Sequence, residues 1–579
     1  MRVVLQKGKF VRYSKKYIIM ALILFLVLAL KFSNVEVKSE EIEEFRGARL
    51  EQEIWNPMIA GTVNDKLLSL LVDNKELTSV KDGIYMDDNL NIMVPVSALG
   101  ESFNCGSHIY NEKELMLEKR SDVVSFKLDQ PYVTLNEQEE AVQSPMIGKN
   151  GDYYVPVQTV AEKLNFNYEW NIEKNQAIAR NKAEESSILP PQYDLRQRQR
   201  TPKVKNQGSF GTCWAFAALA AMESSLLPEE VQEFSPDHMS IQNSFVLEQA
   251  AGGEYTMGMA YLLSWQGPVF EKDDPYGDGK SRDDLEAVKH VQEVQLIEGK
   301  DYEKIKEFVF RHGGVQTAIY SALNNSQSDS PYYNFEKSAY CYIGAEKPNH
   351  EIMIIGWDDN YPKENFREEV EGDGAFLCQN SWGEDFGDDG VFYVSYYDVN
   401  IGIHNVVYTK IEEADNYDRI YQSDLCGWVG QLGYNRDSVY AANVYTAQSA
   451  ETLRAAGFYA TGKETSYELY IAKKFKNTDS LEERIKVAEG NVANAGYYTI
   501  KFDEEIEVEE GEKYAGILHV TTPGSVHPMA IEYVADEMTA NVDLKDGEGY
   551  ISAGGRRWEN TEKNQECNLC LKVYSDVRE

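Results

Sequence analysis

Apolar positions along the 579-residue chain fall into three regimes. Between residues 60 and 182, short apolar clusters alternate with turn residues, and one pattern occurs twice. Val94-Pro95-Val96 returns as Val155-Pro156-Val157, a period of 61. A short helix is predicted behind each copy, at 97–103 and 158–164, with Glu101 and Glu162 at matching places. Each copy then passes an aromatic-Asn pair, Tyr110-Asn111 or Trp170-Asn171, into an alternating strand at 114–117 or 176–179. From 190 to 410 the periodicity is mixed. The run 213–227 is apolar and Ala-rich, with no Gly or Pro before Pro228, which predicts a buried helix. Buried strands are predicted at 352–357, 374–378 and 391–396. Beyond 411 strict alternation dominates, at 467–475, 497–508 and 514–520, with Gly-containing turns between. That pattern predicts a β-sandwich-like domain, folded separately and joined through an accessible link near 412–417.

The first 33 residues stand apart. Arg2, Lys7, Lys9, Arg12, Lys15 and Lys16 form a basic run, and an apolar stretch of 14 residues follows from Tyr17 to Leu30. This is short for a membrane helix of about 20 residues and matches the core of a signal peptide, about 7–15 residues. Lys31, Phe32 and Ser33 make a poor cleavage site, so segment 1–33 reads as a secretory signal or an uncleaved membrane anchor. Membrane association is expected only through it.

The formal net charge of −38 repels phosphate backbones and excludes a nucleic-acid partner from the expected classes. Seven cysteines, at 105, 213, 341, 378, 426, 567 and 570, are too sparse for a disulfide scaffold, and their odd number leaves at least one unpaired within the chain. Cys567 and Cys570 form a C-x-x-C in a strand-like segment with no second pair or nearby His, so a structural role is expected.

Cys213 is placed differently. It follows the loop-like Gly208-Ser209-Phe210-Gly211-Thr212 and opens the Ala-rich helix, whose dipole stabilises a thiolate. Its segment, Lys205-Asn206-Gln207-Gly208-Ser209-Phe210-Gly211-Thr212-Cys213-Trp214-Ala215-Phe216, resembles the active-site segment of the papain-type cysteine peptidases. His350, at the head of an apolar strand and 137 positions after Cys213, lies in a segment similar to that family's His strand. Asn380-Ser381-Trp382-Gly383 resembles its Asn-Ser-Trp-Gly segment. The resemblance covers roughly 190–410. It implies Cys213 as nucleophile, His350 as base, Asn380 as the group that orients the imidazole, Trp382 as its shield and Gln207 as an oxyanion donor beside the Cys213 backbone N–H. It further implies that Gly252-Gly253 pairs with extended substrate backbone, that Asp274-Pro275-Tyr276 is a family loop and that Glu223 is a buried helix acid. Phe210 stands where the family usually has Cys, so a family disulfide is missing. The His-to-Asn spacing of 30 is long, the excess being an acidic stretch at 358–373 expected to be a solvated surface loop.

The flanks carry resemblances of their own. Residues 60–182 are similar to the N-terminal module first described in copper amine oxidases. Its only His is His108, so no copper site is implied. Residues 415–579 resemble the lectin-like domain appended to some bacterial papain-type peptidases, through segments such as 417–424 and 456–459.

The expected architecture is therefore multidomain: an α+β, two-lobed papain-like domain at 190–410, between an α+β repeat module and a β-sandwich-like domain. The expected activity is peptide-bond hydrolysis without metal or organic cofactor. Expected partners are protein or peptide substrates, with wall polymer or glycan as candidates for the flanking modules. An adhesive surface protein with secondary peptidase activity, and acyl transfer to an amine, are the competing readings. The family's usual inhibitory helical prodomain is not evident before residue 190.

Overall fold

The computed structural model describes residues 62–63, 66–73, 75–149, 151–171, 174–182, 188–323, 330–545 and 547–578. The expected leader at 1–33 and linker residues 183–187 lie outside them.

In the N-terminal module the two copies of the repeat meet. Strands Ile92–Pro95 and Asp152–Pro156 pair antiparallel, with Val155 opposite Val94. Each strand ends on its proline. Pro95 and Pro156 hold extended conformations (φ −65° and −69°) and act as N-caps of the helical segments that follow, Val96–Ala98 running into Leu99–Ser102, and Val157–Lys163. A fixed φ and a missing N–H suit a strand end that turns into a helix. Val94, Leu99, Val155 and Val160 share one core.

The protease-like region is organised on helix α1 (Cys213–Leu226), which is buried along nearly its whole length. A helix apolar on all sides must lie inside. Helix α2 (Tyr255–Leu263) packs on it, and helix α3 (Tyr302–His312) packs on the sheet. Against these packs a sheet of β1 (Lys289–Glu298), β2 (Val315–Ile319), β3 (His350–Asp358), β4 (Ala375–Gln379), β5 (Val391–Ser395) and β6 (His404–Glu413). In space the order is β5-β4-β3-β2-β6-β1.

The sheet does not stop there. On its other edge β1 pairs with β8 (Ala495–Val508), then β7 (Glu451–Ala460) and β9 (Leu571–Val577), all of the C-terminal region. Thirteen strands form one sheet across both regions. A six-stranded sheet closes the C-terminal region into a sandwich, with Leu453, Phe458, Leu518 and Leu571 between the layers. The C-terminal region keeps its own core, but the accessible link expected before it is corrected. β6 continues to Glu413, Asn416 is hydrogen-bonded to His290 and Glu412, and Tyr417 is buried against Tyr574. The charges of 411–416 masked a strand that belongs to both regions.

The acidic stretch after β3 is likewise less solvated than its charge implies. Tyr361, Phe366 and Val370 are buried and pin it beside Cys341 and Ala375.

The N-terminal module docks on α3 and the segment 193–200. Tyr193 donates to Glu118 (3.0 Å), Arg198 pairs with Glu118 (2.6 Å), Ile109 N–H donates to Glu229 (3.0 Å) and Arg311 donates to the Cys105 carbonyl (2.9 Å). Tyr193 faces Trp357 across the sheet. That is seven residues along β3 from His350, roughly 23 Å at the rise of a strand, so these contacts leave the His350 end of the sheet uncovered.

Candidate active site

The helix start, the head of β3 and the turn after β4 bring the chemistry together. Cys213 is the first residue of α1, 8% exposed, and Thr212 caps the helix without a side-chain bond. The first N–H groups of the helix therefore face the sulfur. The backbone N–H groups of Glu351, Trp214 and Cys213 itself favour the thiolate. Glu351 directly follows His350, so one peptide unit separates the imidazole from the first of these groups.

His350 Nε2 lies 2.8 Å from Asn380 Oδ1. Ser381 N–H donates to the same oxygen at 2.8 Å. The amide is thereby fixed with its oxygen toward the ring, so Nε2 must carry the proton and Nδ1 is left as the base. The Trp382 ring lies 4.8 Å from the imidazole and covers it. His350 and Asn380 are both nearly inaccessible.

Gln207 is held from both ends of its amide. Ser381 Oγ donates to Oε1 at 2.6 Å, and Nε2 donates to the Phe210 carbonyl at 2.8 Å. Its backbone is tied to Ser381 O (2.8 Å). Tyr276 adds a clamp that motif matching alone does not reveal. Its hydroxyl donates to Gln207 O (2.9 Å) and bonds Thr212 Oγ1 (2.7 Å), joining the loop before Cys213 at two points. Glu223, within α1, accepts from Lys205 Nζ (2.7 Å) and Phe234 N–H (2.8 Å), which anchors the start of the same loop.

Gly252 and Gly253 abut this centre. Gly252 has φ +92°, a conformation costly for residues with a Cβ. A Cβ on Gly253 would fall 2.3 Å from Trp214 Nε1, so only glycine lets this backbone lie on the start of α1.

The electrostatics are those of a water-excluded pair. Burial pushes the Cys213 thiol up, against the pull of those three N–H groups. Burial pushes the His350 imidazole down, opposed by Asn380 and Glu351. A lone thiolate and a lone imidazolium are both disfavoured here. One proton passed from sulfur to Nδ1 creates both charges at once, each the other's counter-ion. Glu351 was not singled out from sequence. Its carboxyl is buried in the sheet, accepts from Gln316 Nε2 (3.3 Å), and is pushed up to about 8 by burial and by Cys213. A charged residue directly before the apolar run 352–357 was the available signal.

Gln207, Cys213, His350, Asn380 and Trp382 thus converge, with Gly252-Gly253 alongside. Cys567 and Cys570 lie elsewhere, buried and unpaired, Cys567 in strand Cys567–Leu569. Among the described residues no group of His, Cys, Asp and Glu is arranged to hold a metal ion.

Comparison with known proteins follows the same division of the chain. Residues 189–411 match the family model for papain family cysteine proteases, 71–179 that for the copper amine oxidase N-terminal domain, and 420–575 that for a lectin-like domain. A viral cathepsin of Epiphyas postvittana nucleopolyhedrovirus is 26% identical over 232 residues, 38% of this chain and 65% of that protein. Cathepsin S of Bos taurus is 27% identical over 221 residues, 36% of this chain and 61% of its own length. The chain therefore spans less than two thirds of the curated relatives it matches. Among solved structures, the clostridial cysteine protease Cwp84 after propeptide cleavage superposes with TM-score 0.60 at 26% identity, covering 67% of this chain and 99% of that one. The cysteine protease and lectin-like domains of Cwp84, described as a surface layer associated protein of Clostridium difficile, give 0.58 at 25%, covering 67% and 89%.

Proposed function

Residues 189–411 form a papain-family cysteine protease domain, and from that premise we propose that the chain is a secreted or surface-held cysteine endopeptidase. Cys213 attacks the peptide carbonyl as thiolate after His350 takes its proton. The oxyanion is held by the Cys213 backbone N–H and by Gln207, whose amide nitrogen carries a second hydrogen beyond the one given to Phe210. His350 then protonates the leaving amine and activates water against the thioester. Asn380 fixes the ring, Trp382 shields it, and Gly252-Gly253 pairs with the substrate backbone. No step calls on a metal or organic cofactor.

The observation that carries this reading is the His350–Asn380 bond at 2.8 Å, one peptide unit from the Glu351 backbone N–H that favours the Cys213 thiolate. The basic-then-apolar leader and the likeness to a surface layer associated protease support the location. The lectin-like match at 420–575 supports glycan or wall polymer as a second class of partner. The proposed units are 1–33, 60–182, 190–410 and 415–579. Cys213→Ala is expected to abolish hydrolysis of a denatured protein while the purified variant keeps its thermal transition. Residual turnover in a folded variant overturns the assignment. Product analysis with an added amine separates hydrolysis from acyl transfer.

A further inference from the structure

A cavity of about 410 Å³ opens between α2 and the C-terminal region, a size typical of ligand sites. Tyr255, Met259, Leu296 and His404 come from the protease region. Trp428 and Tyr459 come from the C-terminal sandwich, with their rings 5.9 Å apart. We propose that this cavity is a substrate subsite that takes an apolar or aromatic side chain of the peptide being cut, so that the C-terminal β-domain builds part of the peptidase's specificity. The inference rests on the peptidase reading above.

Its place in the fold argues for a stretch of the same peptide. Tyr255 opens α2 two residues after Gly253, which lies on Trp214 beside the nucleophile. On the other side Ala318 stands opposite Glu351, and Thr317 of the same strand donates to the His404 carbonyl (3.0 Å). Tyr255 and His404 stack (5.8 Å between centroids) at the near wall. His404 is thus two strands from the head of β3, roughly 10 Å, a distance an extended peptide crosses in about three residues.

The lining selects the chemistry. Met259, Leu296, Trp428 and Tyr459 offer apolar surface. Asn405, a polar residue of the lining, spends its amide nitrogen on the carbonyls of Ile297 and Gly402. Polar groups are also present, Thr256, His404 and the unpartnered Asn405 Oδ1 among them, so the apolar surface suits a Leu, Phe or Tyr side chain while an oligosaccharide is the alternative that the test must separate.

The Trp428 wall is also rigidly mounted. Gln422 donates to Ser264 O (2.9 Å), Gln266 to Leu425 O (3.5 Å) and the Cys426 thiol to Ser244 O (3.7 Å), all across the junction between the two regions. Lys572 pairs with Asp424 (2.8 Å) in full burial behind the loop. A wall fixed at this many points is preorganised for binding.

The test uses the full chain and peptide substrates extended stepwise away from the scissile bond, with Leu, Phe, Gly or Asp at each added position. Wild type is expected to favour Leu or Phe over Gly or Asp, by roughly tenfold or more in kcat/KM, at the position about three residues out. Trp428→Ala is expected to remove that preference mainly through KM. Thr256→Trp, which fills the cavity from α2 and leaves the C-terminal region untouched, is expected to do the same. The second variant decides if the first does not fold. No apolar preference in wild type, or a preference that survives both substitutions, overturns the proposal. So does competition by a neutral oligosaccharide. Failure of wild type to cleave any substrate overturns the peptidase reading instead.

Discussion

At the scale of single residues, the pair Cys213–His350 has a third titratable neighbour in Glu351. Its carboxyl, pushed up to about 8, is neutral at pH 7 and ionises above that value. The new charge then opposes the thiolate beside it. Alkylation of Cys213 in wild type is expected to fall off or flatten as pH passes 8, and in Glu351→Gln to keep rising to a plateau. Identical profiles would contradict this role. The other members of the site were legible because each chemical role needs one residue type at one place: a thiol at a helix start, a His at a strand head, a side-chain amide 30 residues on. Glu351 was not, because nothing in a strand pattern shows which charged residue has been drawn into a core. Tyr276 was legible only as part of a loop. Its two hydrogen bonds join residues 64 and 69 positions away, a relation that spacing does not encode.

At the scale of elements, the helix at 213 and the strands at 350, 375 and 391 were readable from apolar runs, since buried elements advertise themselves by what they exclude. The accessibility of the stretch after 411 was misread for a complementary reason. An edge-like, acidic stretch looks like a linker, yet β6 needs only β1 beside it to satisfy its backbone, and β1 also feeds β8. The segment 412–417 is therefore expected to resist limited proteolysis under native conditions, because β6 stays paired through Glu413, Asn416 is tied to His290 and Glu412, and Tyr417 is buried. Early cleavage there, with release of a folded C-terminal fragment, would contradict the shared sheet.

At the scale of the whole molecule, the junction between the N-terminal module and the protease region carries a pH dependence. His108 Nε2 lies 3.0 Å from Arg200 Nη1, both buried. A guanidinium can only donate, so this nitrogen accepts and His108 is held neutral. Burial and the positive neighbours Arg200, His312 and Arg311 push His108 well below its usual value. Burial, Arg200, Arg311 and Lys304 push His312 to about 4. His108 is neutral when docked and returns to its ordinary value when the module is released, whereas the groups that depress His312 all belong to the protease region and stay with it. Docking is therefore at full strength above about pH 6.5 and weakens as pH falls below it, by about 1.4 kcal/mol per pH unit for the His108 imidazole. Protection against hydrogen exchange in 104–118, taken relative to the intrinsic rate at each pH, is expected to fall sharply between pH 7 and pH 5. The expectation includes His108→Asn, which still accepts from Arg200 but cannot titrate, showing a smaller fall in protection. Equal protection at both pH values would contradict the account. None of this was visible in the sequence, where His108 was informative only as the lone imidazole of its module.

The central claim is that one of seven cysteines is a nucleophile because of where the chain puts it. All seven are unpaired and buried, and Cys105, Cys341, Cys426 and Cys567 are pushed to about 12 by burial, with Cys378 and Cys570 raised as well. Burial raises Cys213 too, but there the backbone N–H groups of Glu351, Trp214 and Cys213 oppose it, and His350 directly precedes Glu351. The native chain is to be incubated with a thiol-directed epoxide at pH 6 and the labelled residue mapped by peptide mass spectrometry. The account predicts stoichiometric label on Cys213 alone, with loss of that label in His350→Ala. Label on another cysteine, or none on Cys213 in a folded protein, would contradict it.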